Sequence, residues 1–364
     1  KNDNLAKKYF LQLLEINPNH EDANLNLALV YLREKKYKES IVFLDRVIEN
    51  NKNNLNAYYH KGLIYFYLKD LDKAISYFEI CINMNNNHIY SYLNLGHSFL
   101  RIKKFDKAIK NYLRVLSLDP NNNSSKFNLS WCYFANLDFE NAFKFYEYRK
   151  EKILPGERLK KVNATIKSSE WKGENLNNKI ILILAEQGIG DNIQFFRYLF
   201  SLKKNYKCEI IFYTDNNIQY LFKNSPFKIV TDLKSQEKID YFQNLLSLPG
   251  IFYKNNKFIQ GPINYINIDK EKNLIWENKL KKFNKPIIAL NWQGNKDFLF
   301  DYERSINLTK FKNILNIDKY NYISLQKNFG SEQINKYNLS NYIYDLSNEI
   351  DLNQNAFEDT ISIL

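Results

Sequence analysis

In the first half of the chain, small and aromatic positions return with a period of about 34 residues. Ala23, Ala57, Ser91 and Ser125 align; so do Ala28, Gly62, Gly96 and Ser130, then Tyr31, Tyr65, Phe99 and Tyr133, then Ser40, Ala74, Ala108 and Ala142. Each period holds two stripes of helical spacing. Small residues stand where paired helices must approach closely and aromatics fill the space between them, while Pro18 and Pro120 fall where a second helix has ended. The pattern predicts repeats at 21–54, 55–88, 89–122 and 123–156, preceded by a second-helix segment marked by Ala6, Phe10 and Pro18.

After Pro155 and Gly156 the helical period fades, and 157–178 reads as a polar linker with Gly173 and one buried anchor, Trp171. The pattern then changes to short aliphatic runs separated by helix-length segments. Ile180–Leu184 is followed by a glycine turn and an amphipathic helix with Ile193, Phe196, Leu199 and Phe200 on one side. Further strands are predicted at 210–213, 228–230, 263–268, 287–290 and 322–325. Such alternation implies a parallel, doubly wound α/β sheet with its ligand at the carboxyl ends of the strands. The expected organisation is a repeat array at 1–156, a linker at 157–178, one Rossmann-like lobe at 179–280 and the start of a second at 281–364.

Composition narrows the function. With 45% hydrophobic and 16% aromatic residues the chain is a folded protein, and no apolar run is long enough to span a membrane. The net charge of +12 comes from scattered basic residues in an Asn-, Ile-, Tyr- and Lys-rich chain. No zinc, helix-turn-helix or RNA-binding motif accompanies it, so nucleic acid is not expected as a partner. Cys81, Cys132 and Cys208 lack metal or disulfide spacing and suit a reducing cytosol, Cys81 and Cys132 as core fillers. His20, His60, His88 and His97 show no ligand spacing, and no histidine follows His97, which removes Ser-His-Asp, Cys-His and histidine-zinc chemistry from the second half. The chain starts at Lys1 and stops within the apolar run 357–364, so both ends read as cut; a missing leader carries no weight.

The repeat positions are those of the tetratricopeptide repeat (TPR), which 1–156 resembles. The usual early Trp is replaced by Asn24, Tyr58, Tyr92 and Lys126, and two prolines by Lys52 and Asn86. The resemblance implies an α-solenoid of stacked helix pairs whose concave face binds an extended peptide or protein. Asn26, His60, Asn94 and Asn128 recur at one place on successive first helices. This is similar to the asparagine ladder of protein O-GlcNAc transferases, where amides clamp a peptide backbone; the alternative is that Asn is simply abundant here.

Directly after the first strand stands Ala185-Glu186-Gln187-Gly188-Ile189-Gly190-Asp191. Gly188 and Gly190 allow a tight turn, and Asp191 opens a helix. The third glycine of a dinucleotide fingerprint is missing, Ile193 taking its place, and Asp191 would oppose a pyrophosphate. Asp191 therefore reads either as a base that orients an acceptor or as a helix cap. The run Glu186 to Tyr198, with Ser247-Leu248-Pro249, Asn291-Trp292-Gln293-Gly294, Arg304-Ser305-Ile306 and Ser324-Leu325-Gln326-Lys327, resembles bacterial proteins that join TPR arrays to a heptosyltransferase-like (glycosyltransferase family 9-like) domain of the GT-B type. The likeness runs from about Trp171 to Thr360.

That resemblance implies an inverting, metal-independent sugar transfer. Asp191 would be the general base, and Glu186, Gln187, Gly188 and Gly190 the acceptor-side loop. Arg304 and Lys327 would meet the diphosphate of a nucleotide-sugar donor, with Asn291 and Gln293 as further contacts. No metal and no cofactor beyond that co-substrate is implied; the one Asp-x-Asp, Asp70-Leu71-Asp72, lies in a repeat turn. Each residue also has a plainer role: Arg304 paired with Asp301 or Glu303, Lys327 solvated, Trp292 in a core. The family's domain continues past Asp359-Thr360, so an incomplete second lobe and a poorly active fragment are expected. The acceptor would be a protein or a saccharide, and the location the cytosol or the periphery of the inner membrane. The competing reading is a non-catalytic TPR scaffold with a degenerate α/β module; a third, an oxidoreductase with Asp215 on a ribose, lacks its glycine.

Overall fold

The computed structural model describes residues 3–152, 168–186, 188–233, 238–255, 265–266, 268–297, 301–353 and 355–364. The chain forms two compact units whose main division falls between Gly156 and Glu157.

The first unit is a run of antiparallel helix pairs. Helix α1 (Asp3–Ile16) is followed by α2 (Glu21–Arg33) with α3 (Tyr37–Asn50), α4 (Leu55–Tyr67) with α5 (Leu71–Met84), α6 (Ile89–Arg101) with α7 (Phe105–Leu118), and α8 (Asn123–Ala135) with α9 (Phe139–Tyr146). Sequence sets the start of each element: Asn54 and Asn122 cap α4 and α8 by accepting the N–H groups of Ala57 and Ser125 at 2.8 and 3.0 Å. Between the two helices of each pair the chain turns through one residue in the left-handed region, Lys35, Lys69, Lys103 and Leu137. The following N–H then reaches back to satisfy a helix carbonyl, as Asp70 does to Tyr65 at 3.0 Å. The Asp70 carboxylate accepts the Lys73 N–H at 3.2 Å, so the Asp-x-Asp of this turn serves as a helix cap.

Packing follows a size rule. A Cβ on Gly62 would lie 2.6 Å from the Phe78 ring, and one on Gly96 would lie 2.7 Å from the Tyr112 ring. In the first repeat Ala28 occupies the same position, and its core partner is the smaller Leu44. Phe78, Tyr112, Leu44, Cys81 and Cys132 are all fully buried, so both cysteines do serve as core fillers.

The second unit contains two small parallel sheets. The first has the order β1-β5-β2-β3-β4, formed by β1 (Ser169–Glu170), β2 (Ile180–Leu184), β3 (Glu209–Tyr213), β4 (Lys228–Val230) and β5 (Tyr241–Asn244). The second, β6-β7-β8, is formed by Ile287–Leu290, Asn321–Ser324 and Ile343–Asp345. Their registers are parallel throughout.

Three expectations need correction. Ser169 and Glu170 belong to the sheet rather than to a linker, pairing with Tyr241 and Phe242, because Trp171 anchors this segment. The Trp171 N–H donates to Phe242 O and its indole N–H to Glu174 O, both at 2.8 Å. Strand β5 was hidden by its polar residues, which are buried but bonded: Gln243 Nε2 donates to Trp171 O at 2.7 Å. The single helix expected after the glycine turn is two, Ile189–Phe195 and Arg197–Asn205. Of the strand expected at 263–268, residues 263, 264 and 267 lie outside the described residues, and Tyr265 and Ile266 are not in a strand. Among the described residues no helix is long and apolar enough to cross a membrane.

Candidate functional site

In the array the first helices α2, α4, α6 and α8 touch one another in series, so one side of each contributes to a common face. Small capped starts and the 34-residue register bring residues 26, 60, 94 and 128 to equivalent places on it. Their chemistry is not uniform. Asn26 is exposed and its amide donates to its own helix at Asp22 O, 2.8 Å. Asn94 Nδ2 donates to Tyr59 Oη at 3.0 Å and to Tyr90 O at 2.9 Å. The Asn128 amide lies 2.8 Å from His97 Nε2. His60 packs edge-on against Tyr59; its Nδ1 is buried without a hydrogen-bond partner among the described residues, and burial pushes its pKa down to about 4. The ladder is thus three asparagines and a neutral imidazole, and two of the amides stitch neighbouring repeats together.

Sequence reasoning passed over the aromatic part of this face. Tyr67, Tyr90 and Trp131 are 48%, 63% and 48% exposed, and all three lie on first helices. The signal was present in the same register that revealed Asn94, since Tyr90 and His97 stand four residues before and three after it.

In the second unit, β2 ends in the turn 185–191 at the carboxyl edge of its sheet, and Gly188 caps the helix Ile189–Phe195. Asp191 is the third helical residue, and its carboxylate accepts the Gly188 N–H at 3.3 Å, half of a reciprocal cap. Burial holds the Asp191 carboxyl above the usual carboxylate range, against the smaller opposing effect of the Gly188 N–H. Gly190 is open on the side where a Cβ would project. Glu186 is buried, and its carboxylate accepts the Leu246 N–H at 3.0 Å and Asn244 Nδ2 at 3.4 Å. Asn192, missed by sequence, completes the turn: its Oδ1 accepts the Glu186 N–H at 3.3 Å and its Nδ2 donates to Gly188 O at 3.1 Å. Glu186 therefore fixes the loop after β5 to the turn after β2, and Asp191 is the carboxylate at the surface. Gln187 lies outside the described residues.

At the carboxyl edge of the second sheet the loop after β6 is held by Gln326. Its Oε1 accepts the N–H groups of Trp292 and Gln293 at 3.0 and 2.8 Å, and its Nε2 donates to Gln293 O and Phe329 O. The Gln293 side-chain oxygen accepts from Gln333 Nε2 at 2.8 Å. Trp292 is buried in the lobe core, while Asn291 is exposed. Arg304 Nε donates to Asp301 at 3.0 Å; the other Asp301 oxygen accepts from Ser305 Oγ at 2.7 Å, which itself accepts the Gly294 N–H at 2.9 Å. Arg304 thus takes the plainer role anticipated for it while remaining half exposed. Lys327 is partly buried, and its ammonium donates to Ile350 O at 2.7 Å and to Asp351 O, in the loop after β8. Among the described residues Asp191 has no ion-pair partner, and no cluster of three His, Cys, Asp or Glu is placed to hold a metal.

Two family models match the chain. The model described as anaphase-promoting complex, cyclosome, subunit 3 covers residues 3–81, and the tetratricopeptide repeat model covers 89–122. No curated protein matches. Among solved structures, a crystal structure of MamA is 21% identical with a TM-score of 0.38, covering 42% of this chain and 89% of its own. YrrB, titled a TPR protein with an unusual peptide-binding site, is 18% identical with a TM-score of 0.37, covering 41% and 77%. PilF of Pseudomonas aeruginosa is 18% identical at 0.36, covering 42% and 78%. The helix-pair geometry, the 34-residue register and the two family models together establish that the N-terminal region is built of TPR repeats.

Proposed function

We propose that this protein is an interaction module whose TPR array receives an extended peptide segment of a partner protein. One observation carries the proposal: on the common face of the first helices, aromatic side chains are left exposed beside ordered carboxamides. Exposed aromatics on an otherwise well-packed solenoid, next to amides fixed by bonds to neighbouring repeats, form a preorganised surface that is missing its partner. Panning a phage-displayed library of random 12-residue peptides on the 364-residue chain tests it. Peptides should be retained and lose most of their binding on Trp131→Ala, a half-exposed position, with the variant's thermal unfolding curve as the check that the array stays folded. Retention unaffected by groove substitutions would sink the proposal.

A second reading, sugar transfer from a nucleotide-activated donor at the α/β unit, is favoured by Asp191. A half-buried carboxylate at the carboxyl edge of a parallel sheet, with its pKa raised by burial, has the basicity that a general base needs. In this reading Glu186 and Asn192 hold the turn and Arg304 is the cation nearest the donor side. The Asp191→Asn variant is expected to lose transfer at least ten-fold while keeping peptide binding in the array. Absence of transfer from any of a panel of nucleotide sugars by the wild-type chain would count against this reading and leave the first intact.

A further inference from the structure

The array's common face changes character along its length, and its middle is electrically neutral. Between Glu79 and Arg101 the chain contains no Asp, Glu, Lys or Arg, a stretch that includes all of α6 up to its last residue. On α6, Tyr90, Asn94 and His97 follow one another at helical spacing and face the first helices on either side, where Tyr59 and His60 of α4 and Asn128 and Trp131 of α8 continue the surface. Tyr59 is the centre of this cluster. Its ring lies 5.2 Å from His88, 5.3 Å from His60 and 6.4 Å from Tyr90, and its hydroxyl accepts from Asn94.

The hydrogen-bonding capacity left over is specific. Both Asn94 amide hydrogens are used, on Tyr59 Oη and Tyr90 O, so what this residue offers is the acceptor Oδ1. Asn128 is oriented by its bond to His97 Nε2 and likewise keeps its Oδ1 without a donor among the described residues. His60 is neutral because burial depresses its pKa, and its Nδ1 is buried, so it adds no charge to the face. The middle of the face therefore presents acceptors and aromatic rings, and Arg101, one repeat on from Tyr67 at the end of α6 and over the Phe66 ring, is the charge that flanks it.

We infer that repeats two to four select an extended peptide whose central residues are not acidic and include an aromatic side chain. This rests on the interaction-module reading above and adds to it the chemistry of the partner. An extended backbone offers N–H donors, which match Oδ1 of Asn94 and of Asn128. First helices separated by about 10 Å are spanned by about three extended residues, so the two acceptors meet two N–H groups on the same side of the extended chain, where they recur at every second residue. The partner's aromatic ring stacks on Tyr90, the most exposed ring of the cluster. A carboxylate in the middle would be desolvated against the rings of Tyr59, Tyr90 and Trp131 and would meet the Oδ1 acceptors rather than donors, and is rejected on that ground.

Synthetic peptides derived from the panning experiment test this on the full chain by calorimetric titration. Retained sequences should share a centre of about three non-acidic residues with at least one Phe, Tyr or Trp. Replacing that aromatic by Ala, or Tyr90 by Ala, should weaken binding at least ten-fold, and placing Asp at the centre should abolish it. Asn94→Ala should also weaken binding; an unchanged thermal unfolding curve for Tyr90→Ala shows that its effect is local. Retained peptides with a conserved central Asp or Glu, or with full affinity for the Tyr90→Ala chain, overturn the inference while the interaction-module reading stands on the Trp131→Ala result. No retained peptide at all overturns both.

Discussion

Replacing Trp171 by Ala is expected to cost the α/β unit roughly 3–5 kcal/mol. The indole is 1% exposed, in the core that holds Ile181, Ile183, Phe196 and Phe212. It meets Tyr206 and Phe252 edge-on at 6.1 and 6.4 Å, and its N–H satisfies Glu174 O. Truncation removes the ring, leaves a cavity that β2 and β3 cannot close, and strands a carbonyl. It also loosens the one anchor that docks β1 beside β5, because the Trp171 backbone bonds to Phe242 and Gln243 depend on the ring staying in place. Hydrogen exchange resolved by segment checks the location: β2, β3 and β5 should lose protection in Trp171→Ala, while α2 to α7 keep theirs. Trp171→Phe should recover most of the loss. Equal protection of β2 in wild type and Trp171→Ala would show that the side chain is not the anchor assigned to it.

The second large effect is a dependence of array stability on pH. Burial lowers the His60 pKa from 6.5 to about 4, so between those values the unfolded chain binds a proton that the folded chain refuses. Stability therefore falls as pH drops from 6.5 toward 4, and this contribution is fully present above pH 6.5. The shift corresponds to up to roughly 3 kcal/mol. Burial depresses His88 in the same direction. Urea denaturation at pH 7.5 and pH 5.0 measures the loss, and His60→Asn, which installs the residue that the other three repeats carry, isolates this group from the carboxylates that titrate in the same range. The variant should lose less stability on acidification than the wild type; identical losses would rule out His60 as the source.

The array was legible residue by residue. Helix propensity, caps and the pairing of a small residue with a ring are interactions within one repeat or with the next, so they leave a periodic trace in the chain, and the first helices α2, α4, α6 and α8 begin where the repeats at 21, 55, 89 and 123 do. The α/β unit was legible only where burial and hydrophobicity coincide, as in β2, β3 and β6. Strand β5 escaped because Gln243 and Asn244 are buried yet polar, which is tolerated only since Trp171 and Glu186 supply their partners. Strand β1 escaped because two residues carry no period.

For the candidate sites, residue types along the chain were sufficient to single out Asp191, the asparagine register and the Asn291-Trp292-Gln293-Gly294 loop, but not to say what each side chain is doing. Glu186 proves to be an internal tie and Lys327 a donor to two carbonyls. Asn94 and Asn128 spend amide groups on neighbouring repeats. The sequence by itself determined the repeat architecture, the neutral stretch around α6 and the turn that carries Asp191, because each is written in local spacing or in composition. Only the tertiary structure decided which polar groups are left to offer a partner, because a hydrogen bond made within the fold consumes the capacity that a ligand would use. Those bonds join residues 23 to 60 positions apart, such as Lys327 with Ile350, Asn128 with His97 and Leu246 with Glu186, where no pattern along the chain foretells them.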